Sequence, residues 1–322
     1  MSDNIILEYI SYIKTVRRYS ARTVDIYRES LGMFADFISG CGTDDSHLTD
    51  SLSPSIIRSY EVHLLEDRGM VPRTVSLHLS VLSGFCGYLL KQGIISSNPA
   101  KLVKRPKTEK RLPEFYRRDS MEQYFRSADM IYVSPDSKQT RWMYEKRLKR
   151  VIISTLYATG MRRAELIGLK TGDIDFRRRT AKILGKGDKM REIPIVTSLC
   201  DEISLYLQSV ETMVGGDRSQ SAPLFVTFSG RALYPGYVDK AIKSELGEIG
   251  SITGKKSPHV LRHTLATELL NEGTDLNSIK ELLGHSSLAA TQVYTHNSIG
   301  KLKKVYETAH PRASKNGGKN GD

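Results

Sequence analysis

His259-Val260-Leu261-Arg262-His263, followed by Leu282-Leu283-Gly284-His285 and then Tyr294, is the stretch from which the rest of the chain can be read. A helix opening at Ser257-Pro258 places His259 and Arg262, three positions apart, on one face, and proline is tolerated in a first helical turn. Arginine presents a planar fork of donors suited to phosphate oxygens, imidazole adds an N–H, and a tyrosine hydroxyl can become a nucleophile. This set of side chains points to phosphate chemistry and calls for no metal and no cofactor.

Outward from that stretch, the 322 residues imply two domains, and 39% hydrophobic content is enough for a core in each. A net charge of +12 favours a polyanionic partner, nucleic acid first among them. The three cysteines, Cys41, Cys86 and Cys200, are odd in number and far apart, so they read as buried thiols in a reducing compartment rather than a disulfide framework. Met1-Ser2-Asp3-Asn4 lacks a basic leader, and no apolar run approaches the roughly 18 residues that cross a bilayer. The expected location is the cytoplasm, with no membrane partner.

The first hundred residues read as an all-helical bundle. One helix spans Ile5 to Val16. A second is capped by Ser20, carries Val24, Tyr27, Leu31, Phe34, Phe37 and Ile38 at helical spacing, and stops near Gly40. Ser53-Pro54 opens a third through Ile56, Ile57, Tyr60, His63 and Leu64 to Gly69, and Pro72 opens a fourth with Val75, Leu77, Leu79, Leu82, Phe85 and Leu89 as its apolar side. Lys14, Arg17, Arg18, Arg22, Arg28, Arg68 and Arg73 gather near helix starts and loops. Helix N-termini beside cations suit phosphates, which makes Arg17, Arg18, Arg22 and Arg73 candidate DNA contacts; a solvated charged face is the alternative. His63 and His78 lie within helical patterns and read as surface or packing residues.

Residues 101–118 form a basic connector interrupted by Pro106 and Pro113, expected to run extended along a phosphate backbone, with Arg117 and Arg118 as DNA contacts. A flexible linker is the alternative. The second domain, 119–312, opens with a helix from Ser120 to Met130 and another from Tyr144 to Ala158, closing at Thr159-Gly160. The next helix is expected to start at once and carry Met161 to Leu166, with Glu165 placed to brace Arg162. Alternation then marks strands at Asp173–Phe176, Thr180–Leu184 and Arg191–Ile195, with Gly185-Lys186-Gly187-Asp188 turning between the last two. Helices follow at 197–212 and 235–249, and the Gly/Asn/Lys-rich tail 313–322 reads as disordered. Taken singly, Lys186 would be an ordinary exposed lysine, and its turn lacks the nucleotide-loop pattern.

Tyr157-Ala158-Thr159-Gly160-Met161-Arg162-Arg163-Ala164-Glu165-Leu166, Gly185-Lys186-Gly187, His259 to His263, Leu282-Leu283-Gly284-His285-Ser286-Ser287 and Tyr294-Thr295-His296, in that order, resemble the tyrosine recombinase (phage integrase) family and its Xer-like branch. Ser20-x-x-Thr23-x-x-x-Tyr27 and His310-Pro311-Arg312 extend the resemblance over nearly the whole chain. It implies a mainly α fold with a small antiparallel β-sheet: a two-domain DNA clamp of a helical N-terminal bundle and a tyrosine-recombinase-type catalytic domain. It further implies that Arg162 and Arg262 grip the scissile phosphate, His259 and His285 add hydrogen bonds or move protons, Lys186 protonates the leaving 5′ oxygen, and Tyr294 attacks. Glu165 and His263 would support them, His263 as a hydrogen-bonded core histidine.

The product would be a 3′-phosphotyrosyl link and a free 5′ hydroxyl, formed without ATP or metal. Implied partners are double-stranded DNA carrying a specific recombination site, a homo- or hetero-tetramer on paired sites with the segment 299–309 docking into a neighbour, and an activating accessory protein. Chromosome-dimer resolution is the implied use; a mobile-element integrase or invertase would share the chemistry, and a non-catalytic DNA-binding regulator would need a broken pocket. A helical zinc pair at His259 and His263 is disfavoured because Val260 stands where glutamate is required. Two features depart from the family pattern. Arg163 stands where a small or aliphatic residue is expected, facing DNA or solvent, and the 128–146 stretch is longer than in compact Xer-like proteins.

Overall fold

The computed structural model describes residues 2–40, 48–107, 114–127, 141–185, 190–215 and 219–284. The expectations for Cys41, Lys186, His285, Tyr294, His296, the 299–309 segment and the tail lie outside the described residues, as does most of the 128–146 stretch. The chain divides into two compact units, Met1–Arg111 and Leu112–Asp322.

The first unit holds helices α1 (Ser2–Thr15), α2 (Ala21–Gly40), α3 (Pro54–Glu66) and α4 (Pro72–Lys91), then a 3₁₀ turn at Pro99–Leu102. Ser20 Oγ accepts the Thr23 amide and Ser53 Oγ the Ile56 amide, so two helix starts are fixed by the hydroxyls read from the sequence. Leu31, Phe34, Ile57, Tyr60, Leu64, Val75, Leu82 and Phe85 fill the core. Leu77, expected on the apolar side of α4, is exposed. It lies two positions from both Val75 and Leu79, about 200° around a helix, and cannot share their face. His78 is buried, with its ring edge-on to Tyr60, and burial lowers its pKa. Cys86 here and Cys200 in the second unit are buried free thiols, their pKa values pushed up to about 11 by desolvation.

The described ends of the connector, 101–107 and 114–118, are each anchored to the unit they adjoin. Ala100 and Val103 are buried in the first core, and Arg105 donates to the Ser76 carbonyl at 3.1 Å. From its other end, Glu114 accepts the Lys255 amide at 2.8 Å, while the Tyr116 amide donates to Thr264 Oγ1 and its hydroxyl to the Lys255 carbonyl, both at 2.9 Å. Apolar side chains interspersed among the cations explain the anchoring, because Val103 and Tyr116 gain more from burial than from lying in water.

The second unit contains α5 (Arg118–Ser127), α6 (Arg141–Thr159), α7 (Arg163–Gly168), strands β1 (Ile174–Asp175), β2 (Thr180–Leu184) and β3 (Met190–Pro194), then α8 (Thr197–Met213), α9 (Pro235–Gly247), α10 (Pro258–Asn271) and α11 (Leu276–Leu283). Helix α6 is buried on every side from Val151 to Thr159 and is the axis on which α8, α9 and α10 pack. The sheet is antiparallel in the order β1-β2-β3, with Ala181 opposite Ile193 and Ile183 opposite Arg191. Ala181, Ile183 and Ile193 face the core, and the two-residue period puts Arg191 on that face too. No helix among the described residues is long and apolar enough to cross a membrane.

Between α6 and α10, the Tyr157 hydroxyl lies 2.8 and 2.9 Å from the two oxygens of buried Glu268. Desolvation pushes the Glu268 pKa up to about 7, against the hydrogen bond from Tyr157 and the charge of Arg118, with Glu122 and Glu272 adding to the rise. The folded carboxyl therefore holds its proton up to about pH 7, whereas the unfolded one releases it near 4.5. The folded state binds more protons across that window, so this contribution to stability is present at the acid end and lost as pH rises through 7. Glu268→Gln is expected to remove this decline. Thermal midpoints from pH 5 to 8 check it: parallel curves for both proteins would show that Glu268 does not carry the slope.

Candidate active site

Helix α6 ends at Gly160, whose φ of +60° turns the chain into Met161 and Arg162. Arg162 precedes α7 as its N-cap residue instead of lying within it, because the left-handed Gly160 breaks the helical run expected through Met161. Glu165, in the first turn of α7, accepts the Arg162 amide at 2.7 Å and the Arg162 guanidinium at 2.8 Å. The bracing expected of Glu165 is present.

Glu165 has a second guanidinium. Arg191, on β3, donates to its two oxygens at 3.0 and 2.7 Å, and both side chains are buried. Burial alone would raise the Glu165 pKa, but hydrogen bonds from Arg191 and from the Arg162 backbone outweigh it and hold the carboxyl below its ordinary value. Sequence reasoning placed Arg191 on a strand and assigned it no role. The alternation that puts Ile193 and Ile195 in the core was the available signal.

Helix α10 starts at Ser257, whose hydroxyl accepts the Val260 amide. Buried Arg262 donates to the Gly160 carbonyl at 2.6 Å and to the Leu283 carbonyl at 2.5 Å. Arg162 donates to the next carbonyl, Gly284, at 2.9 Å. Helix α11 is capped by Asp275, which accepts the Asn277 and Ser278 amides, and it ends at Gly284 with φ +64°. Both arginines thus hold the carbonyl end of α11, where the helix dipole is negative. Burial is the largest cause and repulsion from Arg162 the next in drawing the Arg262 pKa down to about 10.

His259 is exposed in the first turn of α10. Desolvation of the ring, and then its neighbours His263, Arg163, Arg262 and Lys255, lower its pKa below the ordinary imidazole value. His263, expected in the core, is exposed as well: four positions on from His259, it shares that outer side of α10 while Arg262 turns inward. Arg163 pairs with Asp239, tying α7 to α9.

The candidate DNA contacts Arg17, Arg18, Arg22 and Arg73 are all exposed on the first unit, with the Arg17 guanidinium 5.9 Å from the Tyr19 ring centre. Arg117 is exposed; Arg118 pairs with Glu272 at 2.7 Å and Glu122 at 3.4 Å. The described residues therefore assemble Arg162, Glu165, Arg191 and Arg262 into one cluster, with His259 near it.

Three guanidiniums around one carboxylate leave a surplus of positive charge, the electrostatics of an enzyme that handles an anionic phosphodiester. Residues 131–300 match the phage integrase family and residues 6–93 its N-terminal SAM-like domain. Tyrosine recombinase XerC of Bacillus pumilus is 37% identical over 310 residues, which cover 95% of this chain and 96% of that protein. Tyrosine recombinase XerC of Chlorobaculum parvum is 34% identical over 316 residues, 95% of this chain and 94% of the relative. Among solved structures, the XerH site-specific recombinase bound to palindromic difH substrate in a post-cleavage complex shares the fold, with a TM-score of 0.67 and 23% identity over 92% of this chain and 82% of that one. The chain belongs to the phage integrase family and is a tyrosine-type site-specific DNA recombinase.

Proposed function

We propose that the cluster of Arg162, Glu165 and Arg262 is the seat of the scissile phosphate, and that the protein exchanges DNA strands in the manner of Xer recombinases to resolve chromosome dimers. The observation that carries this is the surplus positive charge around a single buried carboxylate. A guanidinium has five N–H donors. Arg262 spends two on backbone carbonyls, so others are available to phosphate oxygens.

Tyr294 passes its phenolic proton to the acceptor nitrogen of His259 and attacks phosphorus, its oxygen bonding as the bond to the 5′ oxygen breaks. Lys186 supplies the proton that the departing 5′ oxygen takes up. His259, kept neutral near pH 7 by its lowered pKa, offers one donor and one acceptor, and His285 offers another N–H. The 3′-phosphotyrosyl bond keeps the energy of the phosphodiester, and the 5′ hydroxyl of a partner strand reverses the step.

Double-stranded DNA with a specific site is the substrate, and a tetramer on paired sites, of one or two recombinases, is the assembly, with an accessory protein as activator. Residues 1–100 serve as a DNA-binding domain, 101–118 as a connector and 119–312 as the catalytic domain; the protein works in the cytoplasm. Arg17, Arg18, Arg22, Arg73 and Arg117 contact phosphates. Similarity to XerC proteins over nearly the whole chain supports dimer resolution above the other uses of this chemistry.

The test is a nicked suicide duplex carrying candidate sites, incubated with wild type and Tyr294→Phe without metal or ATP. A covalent adduct with wild type only is expected. Specific binding without any adduct would leave a DNA-binding regulator as the better reading.

A further inference from the structure

We propose that Arg191 is a positioning residue for phosphate cleavage: by pairing with Glu165 from the sheet side, it keeps that carboxylate from cancelling the charge of Arg162 at the phosphate. The proposal rests on the reading of the cluster as the phosphate seat.

Arg191 occupies a core-facing place on β3, where an aliphatic side chain would continue the surface formed by Ile193. A guanidinium there carries a desolvation cost, and its Nε is buried without a hydrogen-bond partner among the described residues. What it meets is Glu165, through two hydrogen bonds. With Arg162 as its sole partner, Glu165 would form a neutral pair and leave only Arg262 in surplus. With Arg191 satisfying the carboxylate, both Arg162 and Arg262 keep charge to offer.

Arg191 also touches the far end of the site. A Cβ on Gly284 would stand 3.1 Å from the Arg191 guanidinium carbon, so the guanidinium lies against the backbone whose carbonyl accepts Arg162. Arg191 thus supports Arg162 at both of its anchors, Glu165 and Gly284, without being placed at the phosphate itself.

A strut that merely held β3 to α7 would matter equally for any substrate, whereas a charge-balancing residue would matter most when the reacting centre is charged. Single-turnover adduct formation is therefore compared on a nicked duplex with an ordinary scissile phosphodiester and on one with a methylphosphonate there. The methyl group replaces a charged oxygen, so the transition state needs less positive charge. Arg191→Met is expected to slow the diester reaction about a hundredfold, the scale of losing one electrostatic donor, and the methylphosphonate reaction less than about tenfold. Equal losses on both substrates, or no loss on the diester, overturn the proposal.

Where Arg191→Met does not fold, Arg191→Lys keeps a cation at this place and gives up the paired hydrogen bonds to the two Glu165 oxygens. A loss on the diester at least about threefold greater than on the methylphosphonate is then expected, and equal losses on both substrates, or no loss on the diester, overturn the assignment. Arg162→Ala is the reference. Diester cleavage by that variant at the wild-type rate overturns the phosphate-seat reading and this assignment with it; a slow Arg162→Ala beside a fast Arg191→Met overturns the role of Arg191 alone.

Discussion

Arg262→Lys is expected to slow covalent-adduct formation about a thousandfold while weakening binding to the same duplex less than about tenfold. Arg262 does two things that lysine cannot do together. It spans the Gly160 and Leu283 carbonyls with two separate nitrogens, and it keeps further N–H donors beyond those two. A lysine ammonium is a point charge on a flexible stem and cannot bridge that fork. Burial and Arg162 already draw the arginine down to about 10, and a lysine, starting lower at about 10.4, would hold its proton less firmly in the same place. The carbonyls left without donors cost roughly 1–3 kcal/mol each, so a lower denaturation midpoint should accompany the slow rate. Single-turnover kinetics beside equilibrium binding at fixed salt separates the effects. Equal losses in cleavage and binding would make Arg262 a general DNA contact.

Gly160→Ala is expected to destabilise the second unit by roughly 2–5 kcal/mol. At φ +60° an alanine pays the left-handed penalty, about 1–2 kcal/mol, before any contact is counted. Its Cβ would then stand 2.5 Å from Leu283 Cδ2 and 3.0 Å from Leu265 Cδ2. Both leucines are buried and cannot swing aside freely, which adds overpacking strain of about 1–3 kcal/mol. The clash with Leu283 is expected to shift the end of α11, whose carbonyls Arg162 and Arg262 hold. Cleavage should therefore fall with stability. Denaturant unfolding checks the first part, and a loss below about 1 kcal/mol would show that the corner relaxes without strain.

The helices were legible where chemistry is local. Ser20, Ser53 and Ser257 cap as their hydroxyls suggest, and the prolines at 54, 72 and 258 sit in first turns. Helix α11 is legible in the same way: Asp275 before Leu276 and Gly284 after Leu283 are ordinary start and stop signals. Leu77 and His263 were misread for a related reason. Both follow a pattern of residue types, and burial follows the helical angle and what packs on it.

The sequence alone determined the two-part, mainly helical plan, the sheet strands and, through the order of five short motifs, the resemblance to tyrosine recombinases. Those features depend on neighbours a few residues away or on identities that need no coordinates. Tertiary structure alone decided that one carboxylate, Glu165, serves arginines from two different elements, and that Arg262 closes on a carbonyl at Gly160, more than a hundred residues earlier in the chain. Periodicity reports which face a residue occupies and says nothing of what another element brings to that face. The packing of α10 on α6 and of α11 on α10, driven by apolar burial, sets those meetings.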